Sequence, residues 1–138
     1  MRHALLALPA PLAAALTLSG CVATFGSNAT TPVEVTVLYR ERIMLPPGHV
    51  LTVRVEDVSR ADAPAEVLAE TRQPLEGGPP YTVRLSVPNA GIDARHTYAA
   101  RAEIRDPAGA LRFTTDTRHA VLTQGAPNRA DIILIGVR

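Results

Sequence analysis

A chain of 138 residues has room for one ordinary domain and no more. Its 14 basic residues, all Arg, stand against 13 acidic ones, and it has no Trp and only 4% aromatic residues. That balance excludes the basic footprint of a nucleic-acid binder and leaves few rings on which bases or sugars would stack.

The first twenty residues read as a segment apart. Arg2 is followed by the apolar stretch Ala4 to Leu16, interrupted only by Pro9 and Pro11, and then by small residues up to Cys21. A permanent transmembrane helix needs roughly 20 apolar residues. This shorter stretch is expected to be a cleaved signal peptide, residues 1–20. Leu18-Ser19-Gly20-Cys21 fits a bacterial lipobox. Small side chains admit the peptidase between Gly20 and Cys21, and the thiol accepts the diacylglyceryl group. The competing reading is an ordinary signal peptide with a chance cysteine. Cys21 is the only cysteine, so no intrachain disulfide can form. Each buried lipid CH₂ contributes about 0.8 kcal/mol, so two or three chains at Cys21 anchor firmly where one does not. Val22, not Asp, follows the cysteine, which in a Gram-negative cell favours the outer membrane, with the protein facing the periplasm.

Residues 21–32 are small and polar and read as a lipidated flexible tether. The folded domain is expected over 33–138. Removing Arg2 leaves it balanced in charge. Period-2 alternation runs through Val33-Val35-Val37-Tyr39, Leu51-Val53-Val55, Tyr81-Val83-Leu85-Val87 and Tyr98-Ala100-Ala102-Ile104, with polar residues between. Val67 to Leu75 alternates more weakly and reads as an edge strand. Leu111 to Thr115, Ala120 to Leu122 and Asp131 to Val137 follow; the last is apolar on both faces and reads as a central strand. Pro- and Gly-rich punctuation separates them: Leu45-Pro46-Pro47-Gly48, Glu76-Gly77-Gly78-Pro79-Pro80 and Gly125-Ala126-Pro127-Asn128. Asp106-Pro107-Ala108-Gly109 carries the residues of a type I turn and predicts a hairpin. Ser59 to Glu70 is the one stretch with some helical character, and Pro64 argues for a loop and strand there. The expected fold class is all-β, a single immunoglobulin-like antiparallel β-sandwich of about seven strands. Tyr98, after Ile92-Asp93-Ala94-Arg95-His96-Thr97, is either a tyrosine corner bonded to upstream backbone or a half-buried strand aromatic.

The chemistry-bearing residues form no known motif. His49, His96 and His119 lack metal-ligand spacing, and no nucleophile elbow, P-loop or dinucleotide fingerprint occurs. Asp57, Asp62, Asp93, Asp106, Asp116 and Asp131 fall mostly at strand ends and turns, where Asp accepts bonds from free backbone donors. No catalytic residue, metal site or cofactor is expected, and no residue is singled out for partner binding. The excess of Arg reads as the coding bias of a GC-rich genome; an Arg-lined anion site requires clustering in the fold.

Val35-Thr36-Val37-Leu38-Tyr39-Arg40-Glu41-Arg42-Ile43-Met44-Leu45-Pro46-Pro47-Gly48 resembles the opening strand and turn of the YbaY/YscW-like lipoprotein family. The stretch from Leu51 with Glu56-Asp57-Val58-Ser59-Arg60-Ala61-Asp62-Ala63-Pro64 continues the likeness. So do Ile92 to Ala99, Phe113-Thr114-Thr115-Asp116-Thr117 and Val121 to Pro127. The resemblance implies a small β-sandwich lipoprotein on the periplasmic side of the outer membrane, with no catalytic residues to carry over. One branch pilots the secretin ring of type III secretion; the YbaY-like branch has no defined role. Arg40-Glu41-Arg42 and Asp57 to Asp62 read as structural ion pairs, or else as partner surface. The function expected is a non-enzymatic outer-membrane lipoprotein that binds or stabilises an envelope partner. The alternatives are a pilot for a type III secretin and a polysaccharide-related binding protein or enzyme. The last requires His96 or His119 to meet paired carboxylates in a cleft.

Overall fold

The structure, a computed structural model, describes residues 28–138. The signal peptide, Cys21 and most of the expected tether lie outside the described residues. The alternating runs become eight strands: β1 Thr30–Tyr39, β2 Val50–Asp57, β3 Glu66–Pro74, β4 Tyr81–Pro88, β5 Tyr98–Arg105, β6 Leu111–Thr114, β7 His119–Val121 and β8 Arg129–Gly136. The only helical element among the described residues is the 3₁₀ turn Asn89–Gly91.

β1 starts within the stretch expected as tether, because Thr30, Thr31 and Pro32 pair with Pro88, Val87 and Ser86 of β4. The Glu34 N–H donates to the Asn128 carbonyl, so even-numbered β1 residues turn their backbone toward β8. Pro32 therefore faces the side where β8 has not yet begun, and its missing N–H removes no ladder bond.

The expected all-β class is present, but the hydrogen bonding departs from two separate antiparallel sheets. The strands form one path, β3-β2-β5-β6-β8-β1-β4, with β7 also paired to β5. The path nearly closes into a barrel, since β3 and β4 lie alongside each other at its ends without forming a ladder. β1 and β8 are parallel, with Glu34 opposite Arg129 and Tyr39 opposite Leu134. The ladder that joins the two halves has two residue pairs, Phe113–Gly136 and Thr114–Ile135. As the alternation implies, β3 is an edge and β8 lies inside the path.

Burial follows the period of two. Val33, Val35, Val37, Leu51, Val53, Val55, Ile104 and Ile132 are fully enclosed, and each large aliphatic side chain so removed from water contributes about 1.5–3 kcal/mol. Tyr39 of β1 stacks on Phe113 of β6 at 4.7 Å between ring centres, joining the halves through the core. Asp106 closes its hairpin: Gly109 donates to its carbonyl, and Ala108 and Ala110 donate to its side chain. At one pole lie the start of β1 and the β2–β3, β4–β5 and β7–β8 connections. At the other lie the β1–β2, β3–β4 and β5–β6 connections and the C-terminus.

Candidate functional site

The site grows from an interruption in one strand. β6 and β7 run in the same direction along β5: Thr114 faces Glu103, and His119 faces Ala100. Four residues, Thr115 to Arg118, thus stand opposite two, Arg101 and Ala102, and the excess bulges outward. Thr115 makes the departure possible. Its hydroxyl accepts from the Ala102 N–H at 2.8 Å and donates to the Ala102 carbonyl at 2.8 Å, while its own N–H donates to that carbonyl at 3.1 Å. A buried side chain thereby supplies what the next backbone group of an unbroken strand would have supplied.

The bulge changes β8. Even-numbered residues of β8 turn their backbone groups to β1, so Asp131, Ile133 and Ile135 turn theirs to the β6–β7 side. Val137 donates to Arg112 and Ile135 pairs with Thr114, but the ladder ends there. The next partner in register for Ile133 would be Asp116, which the bulge has carried away. The outward side chains here are apolar: Ile133 and Ile135 are 39% and 44% exposed, and Leu38, paired with Ile133, is half-buried. Ile133, Leu134 and Ile135 floor an open depression of about 400 Å³, rimmed by Arg40 and Glu41 on one side and Asp116, Thr117, His119 and Asp131 on the other. Three carboxylates thus stand against one guanidinium.

Arg40, Glu41 and Arg42 form no ion pair among the described residues, so the structural reading of that triplet gives way to a place on the rim for its first two members. Asp62 likewise pairs with nothing among the described residues, whereas Asp57 does. His96 Nδ1 lies 2.6 Å from an Asp57 carboxylate oxygen and its Nε2 lies 3.9 Å from Asp93. Hydrogen bonds from Ser59, with His96 beside it, hold the Asp57 carboxyl below its ordinary range. The Arg95 side chain and N–H hold Asp93 down at about 2. This cluster ties the β2–β3 connection to the β4–β5 connection, helped by the Thr97 N–H on the Ser59 hydroxyl.

The other sequence candidates scatter. His49 is buried, its Nδ1 2.8 Å from the Pro46 carbonyl. His119 shares the depression with Asp116 and Asp131 but forms no hydrogen bond or ion pair with them among the described residues. No group of three or more His, Cys, Asp or Glu among the described residues is placed to hold a metal ion. Arg54, Arg72 and Arg105 do cluster on the outer face of β2, β3 and β5, yet Glu70 and Glu103 occupy them at 2.7–3.2 Å. Tyr98 is a tyrosine corner: its hydroxyl accepts from the Asp93 N–H at 2.8 Å and donates to the Gly91 carbonyl at 3.2 Å. The sequence reading missed the depression. Its one visible signal was apolar residues on both faces of β8.

Residues 28–134 match the family model described as type III secretion system lipoprotein chaperone, YscW. The uncharacterized lipoprotein YbaY of Escherichia coli (strain K12) is 39% identical over 106 residues, 75% of this chain and 54% of that protein. The chain thus spans about half the length of this curated relative. An alternative pilotin from the type II secretion system of Vibrio cholerae superposes with a TM-score of 0.75 at 40% identity, covering 79% of this chain and 98% of that one. With a family match across nearly all the described residues and a shared fold behind it, the chain belongs to the YbaY/YscW-like lipoprotein family.

Proposed function

We propose that this protein is a non-enzymatic outer-membrane lipoprotein, anchored through Cys21, that binds and stabilises an envelope protein from the periplasmic side. The observation that carries the reading is the depression on β8: an apolar floor of Ile133, Leu134 and Ile135 inside a charged rim. Interfaces have this anatomy, an apolar centre with a polar surround. An enzyme acting on polysaccharide is less well supported, because His119 has no carboxylate to orient it among the described residues and His96 serves to tie two loops. The finer version, a pilot for a secretin ring, draws support from the pilotin relative and the chaperone family model. The test is photocrosslinking in living cells, with a photoreactive side chain at Ile135 and, as control, at Arg84 on β4. A reproducible adduct from position 135 alone is expected. Adducts at neither position, with the protein present in the envelope, would refute partner binding at this face. For the pilot version, deleting the gene should mislocalise the secretin; a correctly placed ring would refute it.

A further inference from the structure

The depression is short along β8. The β6–β8 ladder reaches Ile135, β7 is back against β5 at His119 and lies beside β8, and only the bulge at Asp116 to Arg118 stands away. β6 and β7 therefore fill the flanking positions in the sheet, and what enters between them is a side chain. The floor suits an apolar one: Ile133 and Ile135 are exposed, and Leu38, opposite Ile133, carries their outward face onto β1. Charge around that floor is divided. Asp131 shares the outward face of β8 with Ile133 and Ile135, and Asp116 lines the same side from the bulge. Arg40 stands on the β1 side. Glu41 is turned elsewhere, since a Cβ at Gly136, on the face of Ile132 and Leu134, would lie 3.1 Å from its carboxylate. Neither outward acid has a close cation among the described residues. Asp116 accepts from the Thr117 hydroxyl beside it, and Asp131 has a 3.8 Å contact with an exposed Arg129.

Resting on the partner-binding reading above, we infer that the depression takes one large apolar side chain of the partner with a lysine or arginine beside it. The basic group turns to Asp116 and Asp131 and away from Arg40. Burying an apolar side chain outweighs an exposed ion pair, so the anchor on Ile133 and Ile135 supplies most of the affinity. The two carboxylates select the sign of the neighbouring residue and, with Arg40 on the other side, the direction in which the segment lies. An acidic neighbour on the bulge side would face two like charges and gain nothing from the floor.

The probe is N-acetyl-Lys-Phe-amide, titrated into the mature lipidated protein in uncharged detergent micelles, with the methyl signals of Ile133 and Ile135 as reporters. Both signals are expected to shift. N-acetyl-Glu-Phe-amide should bind about tenfold more weakly, and N-acetyl-Lys-Ser-amide should leave both methyls unmoved. Molar salt should narrow the difference between the two Phe probes, because exposed charges are screened. The double variant Asp116→Asn with Asp131→Asn, both exposed in the parent, should erase the preference for Lys and keep the Phe-dependent shift. In cells, Asp116→Lys with Asp131→Lys should remove most of the adduct formed from position 135. Equal binding of the Lys and Glu probes, or a preference that survives the double Asn variant, would overturn the charge assignment. Shifts confined to other methyls, or none at all, would overturn the anchor. Either result in a protein that still yields the adduct leaves partner binding itself standing, whereas a parent protein without the adduct would refute both.

Discussion

The three tyrosines of this chain share one employment. Each buries its ring and spends its hydroxyl on a loop: Tyr39 donates to the Ile43 carbonyl, Tyr81 to that of Gly77, and Tyr98 to that of Gly91. Burial, with Tyr39 alongside, pushes the Tyr81 phenol up to about 12, so it stays a donor at any physiological pH. Tyr98 is bonded twice, and Tyr98→Phe leaves the Asp93 N–H and the Gly91 carbonyl without their partner. A loss of about 1–3 kcal/mol is expected in urea unfolding; an unchanged midpoint would show that water replaces the hydroxyl freely. Thr115 is the second residue to test. Thr115→Val keeps the shape but removes the hydroxyl that meets the buried Ala102 N–H. Destabilisation of about 1–3 kcal/mol should follow, and hydrogen exchange at Ala102 should quicken. Retained protection there would mean that the bulge holds itself open without the hydroxyl.

Among the elements, the loops at the N-terminal pole are held by charge as well as by Tyr98. Asp57 and Asp93 both have carboxyl pKa values lowered by folding, Asp93 to about 2. An unfolded Asp titrates near about 3.9. Stability from such groups is full above that value and is lost as pH falls through the folded value. The melting temperature should therefore drop between about pH 5 and pH 2. Asp57→Asn should lower it at pH 7 and flatten the acid limb; a limb as steep as the parent's would exclude this cluster as the cause. Most strands were legible because one face of each is buried and the other wet, as in Tyr81 to Val87. The hairpin at Asp106 was legible from Pro and Gly placement. What stayed hidden is non-local. The parallel pairing of β1 with β8 joins residues 95 positions apart, as Glu34 with Arg129, and nothing in either run states its direction. The bulge was hidden because Thr114-Thr115-Asp116-Thr117 reads as ordinary polar strand end until Ala102 is seen bonding to Thr115. Even so, the outward-facing Ile133 and Ile135 were visible as a break in the alternation, and the site lies there.

For the molecule as a whole, the parallel pair sets a direction. β1 and β8 both rise from the pole where the described chain begins, and the depression lies toward their far ends, beside Arg40, Glu41 and Ile135. Ten residues of strand carry the chain about 30 Å from the first pole to the second. Eight residues separate Cys21 from Thr30, a reach of at most about 30 Å over nine steps. If Cys21 carries lipid, as proposed, the pole with the Tyr98 corner and the Asp57–His96 contact is the one next to the anchor, and the depression lies toward the opposite pole. Anchoring would then act through encounter frequency: a tether confines the domain near any partner in the same membrane and raises the effective concentration without adding a contact. Cys21→Ser separates location from folding. The variant should leave the membrane fraction, keep the parent's melting temperature, and lose most of the adduct formed from position 135 in cells. A variant that still fractionates with membranes as mature protein would refute lipid anchoring at Cys21. One that leaves the membrane yet keeps its full adduct would show that the contacts on β8 suffice without the tether.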